Sequence, residues 1–351
     1  MWTGKCMFER ISSQQLMEDP EIQLKNFKKT KEYLVAIDTD GCIADNMNGK
    51  QMLVFHPMYM EFYQLWGIES YFREVAEYYN LFSVHRGCNR FTAISLILKS
   101  LNSRGDVKKM AEKTWTKIPS AMTVDHYLEF CKSEHCGFGT PSLERFLEKY
   151  PFDFDIHKLY GWSQQVNKAL PYVNLKIQPF ENVKQCLEIM SENADVIVVS
   201  QTPYDDLLSY WESHGIIDYV RIICGQEMGS KSHHIEMVKN AGSYHDEKVL
   251  VIGDAYGDLK AVKQNNACFY PVIPGKENQS WVKFPEAFNS FLSLNYRQVE
   301  NTMIEEFSKT LPDLPPWESP DYNHQQSYRQ HQTIRKALYE KYNPDGKLVV
   351  L

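Results

Sequence analysis

Two carboxylates separated by one residue, Asp38 and Asp40, directly follow an apolar run and precede Gly41. If the run is an extended strand, both side chains lie on one face, and Gly41 lets the chain turn sharply beside them. The pattern Asp-x-Asp-Gly also occurs in ordinary turns and in calcium loops. A calcium loop is excluded here, because its fifth and twelfth positions, counted from Asp38, are Cys42 and Gly49, which supply no side-chain oxygen.

Further polar residues follow two other apolar runs or open a helix. Ser200 and Gln201 come after one run, where a hydroxyl and free backbone N–H groups can bind an oxyanion or simply cap a helix. Asp254 and Asp258 lie one helical turn apart after another run. Lys231 opens a helix between these two runs, where a plain surface lysine is the alternative. Because ligands of open α/β sheets bind beyond the carboxyl ends of the strands, we expect these groups to share one site with the first carboxylate pair.

The elements that must position these groups are short runs of β-forming residues, several of them continuously apolar rather than alternating. Continuous apolar strands are typical of a parallel sheet that is covered on both faces. Helix-compatible segments separate the last four runs, which is the βαβ pattern of a doubly wound sheet. We therefore predict an α/β fold with a mainly parallel, Rossmann-like sheet, whose strands are residues 33–37, 195–199, 220–224, 248–252 and 267–272.

More than 150 residues separate the first two predicted strands, far more than an ordinary crossover connection needs. Their aromatic, helix-compatible composition predicts a mostly helical inserted domain, the cap, at residues 49–174. The catalytic core is expected at residues 20–48 and 175–290. Residues 291–351 are polar and contain several prolines, and we expect them to form a C-terminal extension packed on the core or the cap.

The ordered set of these residues resembles the four motifs of the haloacid dehalogenase-like (HAD) hydrolase superfamily: Asp38-x-Asp40-Gly41, Ser200, Lys231 and Gly253-Asp254-x-x-x-Asp258. The resemblance covers roughly residues 20–48 and 175–275. The insert between the first two motifs is similar to the helical cap of the first type in this superfamily, although it is longer than usual. Residues 43–47 resemble the segment after the nucleophile, where Asp-Ser is commoner than the Asp45-Asn46 found here.

The resemblance implies phosphoryl transfer through an aspartyl-phosphate, with Asp38 as the nucleophile. Asp40 would protonate the leaving oxygen and later take a proton from the attacking water. The resemblance also implies a Mg²⁺ ion held by Asp38, the main-chain carbonyl of Asp40 and Asp254, with Asp258 as a supporting or alternate ligand.

The other motif residues would bind the phosphate. Ser200 and the N–H of Gln201 would contact its oxygens, and Lys231 would offset the accumulated negative charge. In this superfamily a halide needs no proton to leave, so the acid at Asp40 disfavours dehalogenation. We predict a magnesium-dependent phosphatase that hydrolyses a small phosphorylated metabolite. A sugar phosphomutase, which uses the same acid, and a non-catalytic binding protein that retains the fold are the alternatives.

Two cap arginines, Arg86 and Arg90, are candidates for substrate binding, because a guanidinium can pair with a carboxylate or phosphate through two hydrogen bonds. The alternative is a solvated helix start with Asn89 near its cap. We expect Arg86 to face the site more than Arg90, since Gly87 would let that loop approach closely.

The composition narrows the possible partners. Lys and Arg number 38 against 45 Asp and Glu, a net charge of -7 without a basic block, which disfavours nucleic-acid binding. No apolar stretch approaches the ~18 residues of a membrane span, and the N-terminus lacks the apolar core of a signal peptide. The eight cysteines include no CxxC pair, which favours free thiols in a reducing compartment. We expect a soluble, cytoplasmic protein without a nucleic-acid or membrane partner, whose oligomeric state stays open.

Overall fold

The computed structural model describes residues 8–174 and 176–342, and its strands form a parallel sheet. The ends of these strands differ from the predicted ones by two residues at most. The strands are β1 (Tyr33–Ile37), β2 (Ala194–Val199), β3 (Ile222–Cys224), β4 (Val249–Gly253) and β5 (Cys268–Pro271).

The strand order β3-β2-β1-β4-β5 confirms the predicted doubly wound class. The chain moves from β1 outward to β3, crosses back to β4 and then continues outward to β5. Since crossovers between parallel strands are right-handed, connections in opposite directions place their helices on opposite faces of the sheet. The strands are accordingly buried along almost their whole length, which explains why their sequences are continuously apolar.

Helices make up most of the remaining structure. They are α1 (Ser13–Glu18), α2 (Ile22–Asn26), α3 (Asn46–Lys50), α4 (His56–Tyr63), α5 (Glu69–Leu81), α6 (Arg90–Ser103), α7 (Gly105–Lys113), α8 (Met122–Ser133), α9 (Thr140–Lys149), α10 (Phe154–Asn174), α11 (Val183–Asn193), α12 (Tyr204–Ser213), α13 (Lys231–Ala241), α14 (Tyr256–Asn265), α15 (Glu277–Leu292), α16 (Arg297–Ser308) and α17 (His324–Tyr342). None of the helices in the described ranges is both long enough and apolar enough to cross a membrane.

The chain divides into two compact units. The sheet unit comprises Met1–Asn46 and Ile177–Leu311, and the helical unit comprises Met47–Lys176 and Pro312–Leu351. The expected C-terminal extension is divided between the units: its residues up to Leu311 fall in the sheet unit and those from Pro312 in the helical unit. The buried carboxylate of Glu300, on α16, accepts a hydrogen bond of 2.6 Å from the backbone N–H of Phe269 in β5.

The helical unit has its own aromatic core, which gives the inserted segment a packed interior. The ring of Tyr59 on α4 stacks on Phe72 of α5 at 5.5 Å and meets the edge of Trp162 on α10 at 5.4 Å. The indole N–H of Trp162 donates to the carbonyl of Phe55 at 3.2 Å, so the largest buried side chain of this core is also hydrogen-bonded.

Helix α17 joins the helical unit through charged contacts. The carboxylate of Glu77 on α5 is fully buried, and its oxygens lie 2.6 Å from Nη1 of Arg335 and 2.6 Å from Nδ1 of His331. Leu338 is the buried apolar residue of α17 and packs with Met52. Helix α17 therefore contacts α5 through buried ion pairs as well as through an apolar residue.

Candidate active site

The register of the sheet brings three sets of motif residues to one edge. Ile37, the last residue of β1, pairs with Val198 of β2 and with Ile252 of β4. Asp38 extends this pairing by one residue, since its backbone N–H donates to the carbonyl of Ile252 at 3.0 Å. The residues that follow β1, β2 and β4 are thus neighbours, as expected for the carboxyl ends of parallel strands.

The loop after Asp38 is a tight turn. Gly41 has a φ of 78°, in the left-handed region that glycine adopts without strain, and its N–H donates to the carbonyl of Ala44 at 2.9 Å. The backbone N–H of Ile43 donates to the carbonyl of Thr39 at 3.0 Å. This turn fixes the path of the chain between the two aspartates and the start of α3.

Side chains from two different loops hold the carboxylate of Asp40. The hydroxyl of Thr202 donates to Oδ2 at 2.7 Å, and Nδ2 of Asn46 donates to Oδ1. Neither donor belongs to the four motifs, although both stand in segments that the sequence singled out. Their contacts with Asp40 depend on how the two segments approach each other in the fold. Residue type and spacing alone do not predict that approach.

Lys231 forms the centre of the charged contacts in the site. Its Nζ lies 2.6 Å from Oδ2 of Asp38 and 2.7 Å from Oδ1 of Asp258. The lysine is the first residue of α13, where Ser230 is the N-cap and its side chain accepts from the N–H of His233. The helix start therefore aims the ammonium at two carboxylates that are 193 and 27 residues away along the chain.

Asp38, Asp254 and Asp258 form a buried carboxylate cluster, with one oxygen from each lying within 4.8 Å of the others. Asp258 is fixed by the first turn of α14, where its Oδ2 accepts from the N–H of Ala255 at 3.1 Å. A side chain at Gly253 would clash with the Asp258 carboxyl group, which explains the glycine at the end of β4.

The electrostatics of this cluster favour a divalent cation. Burial raises the pKa of Asp38, Lys231 partly offsets this, and the charges of Asp258 and Asp254 raise it again, so that the net value is about 8. Burial alone would lower the pKa of Lys231, but Asp258 and Asp38 outweigh it and raise the pKa above its ordinary value. The ammonium of Lys231 thus contacts two carboxylates of this three-carboxylate cluster. Because all three offer hard oxygen ligands, the donor set fits Mg²⁺.

The segment after β2 contacts the Asp40 carboxylate through the hydroxyl of Thr202. Ser200 is buried, its N–H donates to the carbonyl of Cys224 at 3.0 Å, and its hydroxyl accepts from the N–H of Thr202 at 3.2 Å. The side-chain amide of Gln201 donates to the carbonyl of Gly229 at 3.1 Å, which connects this segment to the loop before α13. The predicted residues of the sheet unit therefore belong to one connected group of loops.

Arg86 lies in the helical unit and is buried rather than solvated. Its side chain is 4% exposed, and Nη1 donates to the carbonyl of Leu81, the last residue of α5, at 3.0 Å. Gly87 has a φ of 73°, as a sharp turn after this arginine requires. The observed contact gives Arg86 a helix-capping role within its own unit, and its expected contact with substrate stays a prediction.

Arg90 also lies in the helical unit, at the first position of α6. Its Nη1 donates to Oδ1 of Asn167 at 2.8 Å, and its guanidinium lies 4.9 Å from the ring centre of Phe55. Asn89 is the N-cap of α6, since its side chain accepts from the N–H of Phe91 at 3.0 Å. Substrate binding by Arg90 likewise stays a prediction.

Comparisons with known proteins gave matches among solved structures only. No family model and no curated protein matches the chain. One similar structure is a protein of Bacteroides fragilis described as a HAD-like hydrolase, at 15% identity and a TM-score of 0.43, with 71% of this chain and 93% of that chain covered. A HAD-like family hydrolase from Xanthomonas campestris is 10% identical with a TM-score of 0.41, and 76% of this chain and 94% of that chain are covered.

A third similar structure is a HAD-hydrolase from Bacillus subtilis bound to magnesium. It is 14% identical with a TM-score of 0.35, and the match covers 68% of this chain and 86% of that chain.

Proposed function

We propose that this protein is a HAD-like, magnesium-dependent phosphatase that hydrolyses a small phosphomonoester through an aspartyl-phosphate. The observation that carries the proposal is the position of Lys231, whose ammonium contacts Asp38 and Asp258 at the edge of the sheet where Asp40 also lies. A purely structural ion pair needs one carboxylate, whereas the proposed aspartyl-phosphate route uses an anionic nucleophile, a cation site and a charge-neutralising lysine together.

Asp38, Asp254 and the main-chain carbonyl of Asp40 are the groups that would hold Mg²⁺, with Asp258 supporting them. When bound, the ion would draw charge from the phosphate oxygens and help keep the nucleophile ionised.

The residues of the chain would divide the reaction between them. A carboxylate oxygen of Asp38 attacks phosphorus while the ester P–O bond breaks, and Asp40 gives its proton to the departing oxygen. Lys231, Ser200 and the N–H of Gln201 stabilise the charge on the phosphoryl oxygens. Asp40 then takes a proton from water as that water attacks phosphorus, which breaks the Asp38–phosphorus bond and releases phosphate.

The substrate class follows from this chemistry and from the composition. Asp40 serves a leaving group that needs a proton, as an alcohol oxygen does, which supports a phosphate ester over a halide. The net charge of -7 supports a small phosphorylated metabolite over nucleic acid.

The test is turnover of p-nitrophenyl phosphate and of a panel of phosphorylated metabolites, with magnesium and with a chelator, by wild type and Asp38→Asn. We expect magnesium-dependent phosphate release by wild type. The variant should lose about 10⁴-fold or more in kcat, because an amide cannot form the acyl phosphate, as when other enzymes lose their nucleophile. Equal rates for the two proteins would exclude Asp38 as the nucleophile.

A further inference from the structure

Each oxygen of the Asp40 carboxylate accepts a hydrogen bond from a side chain, and the two donors stand in different segments of the chain. Thr202, in the loop after β2, donates to Oδ2 at 2.7 Å, and Asn46, at the start of α3, donates to Oδ1. Asn46 is 1% exposed, whereas Asp40 and Thr202 are partly exposed. The amide that donates to Asp40 is therefore buried, whereas the hydroxyl that donates to it belongs to a partly exposed residue.

Both donors are fixed by contacts of their own. Oδ1 of Asn46 accepts from the N–H of Gly41 at 3.0 Å, so the amide is anchored to the same turn that carries Asp40. The N–H of Thr202 donates to the Ser200 hydroxyl at 3.2 Å, and its carbonyl accepts from the N–H of Gln226 at 3.1 Å. The hydroxyl thus belongs to a loop that is tied to the residues after β3.

We propose that Thr202 and Asn46 are positioning residues that clamp Asp40 for proton transfer, a role that rests on the proposed phosphatase function. An amide nitrogen can only donate, so Oδ1 of Asp40 is an acceptor at every stage. A hydroxyl can both donate and accept, so Thr202 keeps its hydrogen bond to Oδ2 whether or not that oxygen carries the proton. The exchangeable proton is therefore assigned to Oδ2.

This assignment gives Thr202 a role in both half-reactions. In the first, the proton leaves Oδ2 for the ester oxygen as the ester P–O bond breaks and the Asp38–phosphorus bond forms. In the second, a proton of the attacking water moves to Oδ2 as the new P–O bond forms and the Asp38–phosphorus bond breaks. Thr202 orients Oδ2 each time, and its contribution is largest when the departing oxygen most needs the proton.

The test compares Thr202→Val with Thr202→Ser on a series of aryl phosphates that runs from p-nitrophenyl phosphate to phenyl phosphate. Valine keeps the shape of threonine but removes the hydroxyl, whereas serine keeps the hydroxyl. We expect Thr202→Val to lower kcat on phenyl phosphate about 10- to 100-fold, as expected for a lost hydrogen bond to a charged group. The loss on p-nitrophenyl phosphate should be clearly smaller, and Thr202→Ser should restore the wild-type dependence on the leaving group.

Two results would contradict the proposed role of Thr202 without contradicting the proposed phosphatase function. One is a uniform loss across the series, as a structural defect would cause, and the other is a wild-type profile in Thr202→Val. Thr202→Ala serves as a second variant without the hydroxyl if valine prevents folding. A wild-type protein without magnesium-dependent turnover would instead overturn the proposed function, and the clamp with it.

Discussion

Lys231 is the residue on which the charge balance of the site depends. It is the ammonium in contact with two buried carboxylates, Asp38 and Asp258, so its removal leaves like charges facing one another in a site shielded from water. Breaking a buried ion pair from one side typically costs about 3–5 kcal/mol.

We therefore expect Lys231→Met to lower the free energy of unfolding by about 3 kcal/mol or more in the absence of added metal. Urea-induced unfolding followed by fluorescence measures this change. Lys260→Met is the matched control, because this lysine is exposed in the same unit and its replacement should change stability by less than about 0.5 kcal/mol. Equal effects of the two substitutions would contradict the central position of Lys231.

At the residue scale, the sequence identified the groups whose type determines their chemistry and missed those whose role depends on geometry. Asp38 and Asp258 stand out because carboxylates follow apolar strands, and Lys231 stands out because it opens a helix between two of these strands in a fixed order. The residue types of Thr202 and Asn46 do not mark them in the sequence, and only the approach of their two segments in the fold makes them partners of Asp40.

At the scale of elements, the strands were predictable because both faces of the sheet are buried, which leaves a continuous apolar signal. Helix α5 is an element that local periodicity does not predict. Its buried positions include Arg73, Glu74 and Glu77, so the expected apolar stripe is interrupted by charges that find partners elsewhere in the fold. Such partners come from distant parts of the chain, where local periodicity gives no sign of them.

The contact between α5 and α17 leads to a prediction at this scale. Arg335→Met would remove one of the two ion-pair partners that α17 offers the fully buried carboxylate of Glu77 in the described residues, and we expect a loss of about 3 kcal/mol in unfolding free energy. Replacing Glu77 together with Arg335, as Glu77→Leu with Arg335→Met, should recover much of that loss, because the buried carboxylate is then removed together with its arginine partner.

Urea midpoints of the single and double variants measure this difference. Lys336→Met on the same helix is the control, since its pair with Glu340 is exposed and should contribute less than about 1 kcal/mol. A double variant that is less stable than Arg335→Met would show that α17 docks mainly through contacts other than the Glu77 pair.

At the scale of the whole molecule, the carboxylate cluster links stability to pH and to metal. The pKa of Asp38 is raised from 3.8 to about 8 in the folded chain, mainly by burial. Between these two values the folded state binds more protons than the unfolded state, so stability falls as pH rises through this window. Lys231 stays charged throughout it, because its pKa is raised above its ordinary value.

We therefore compare the melting temperatures of wild type and Asp38→Asn in chelator-treated protein. The melting temperature of wild type should fall relative to that of the variant between about pH 4 and pH 8, because the amide of the variant cannot ionise. Magnesium should reverse the fall at pH 8 by binding the ionised cluster of the folded state, with a gain of about 2.7 kcal/mol at a hundred times its dissociation constant. Scanning fluorimetry of both proteins across this range, with and without magnesium, measures the two effects. If wild type and Asp38→Asn showed the same pH dependence and the same response to magnesium, Asp38 would be neither the titrating group nor a ligand, and the cation would have to bind elsewhere.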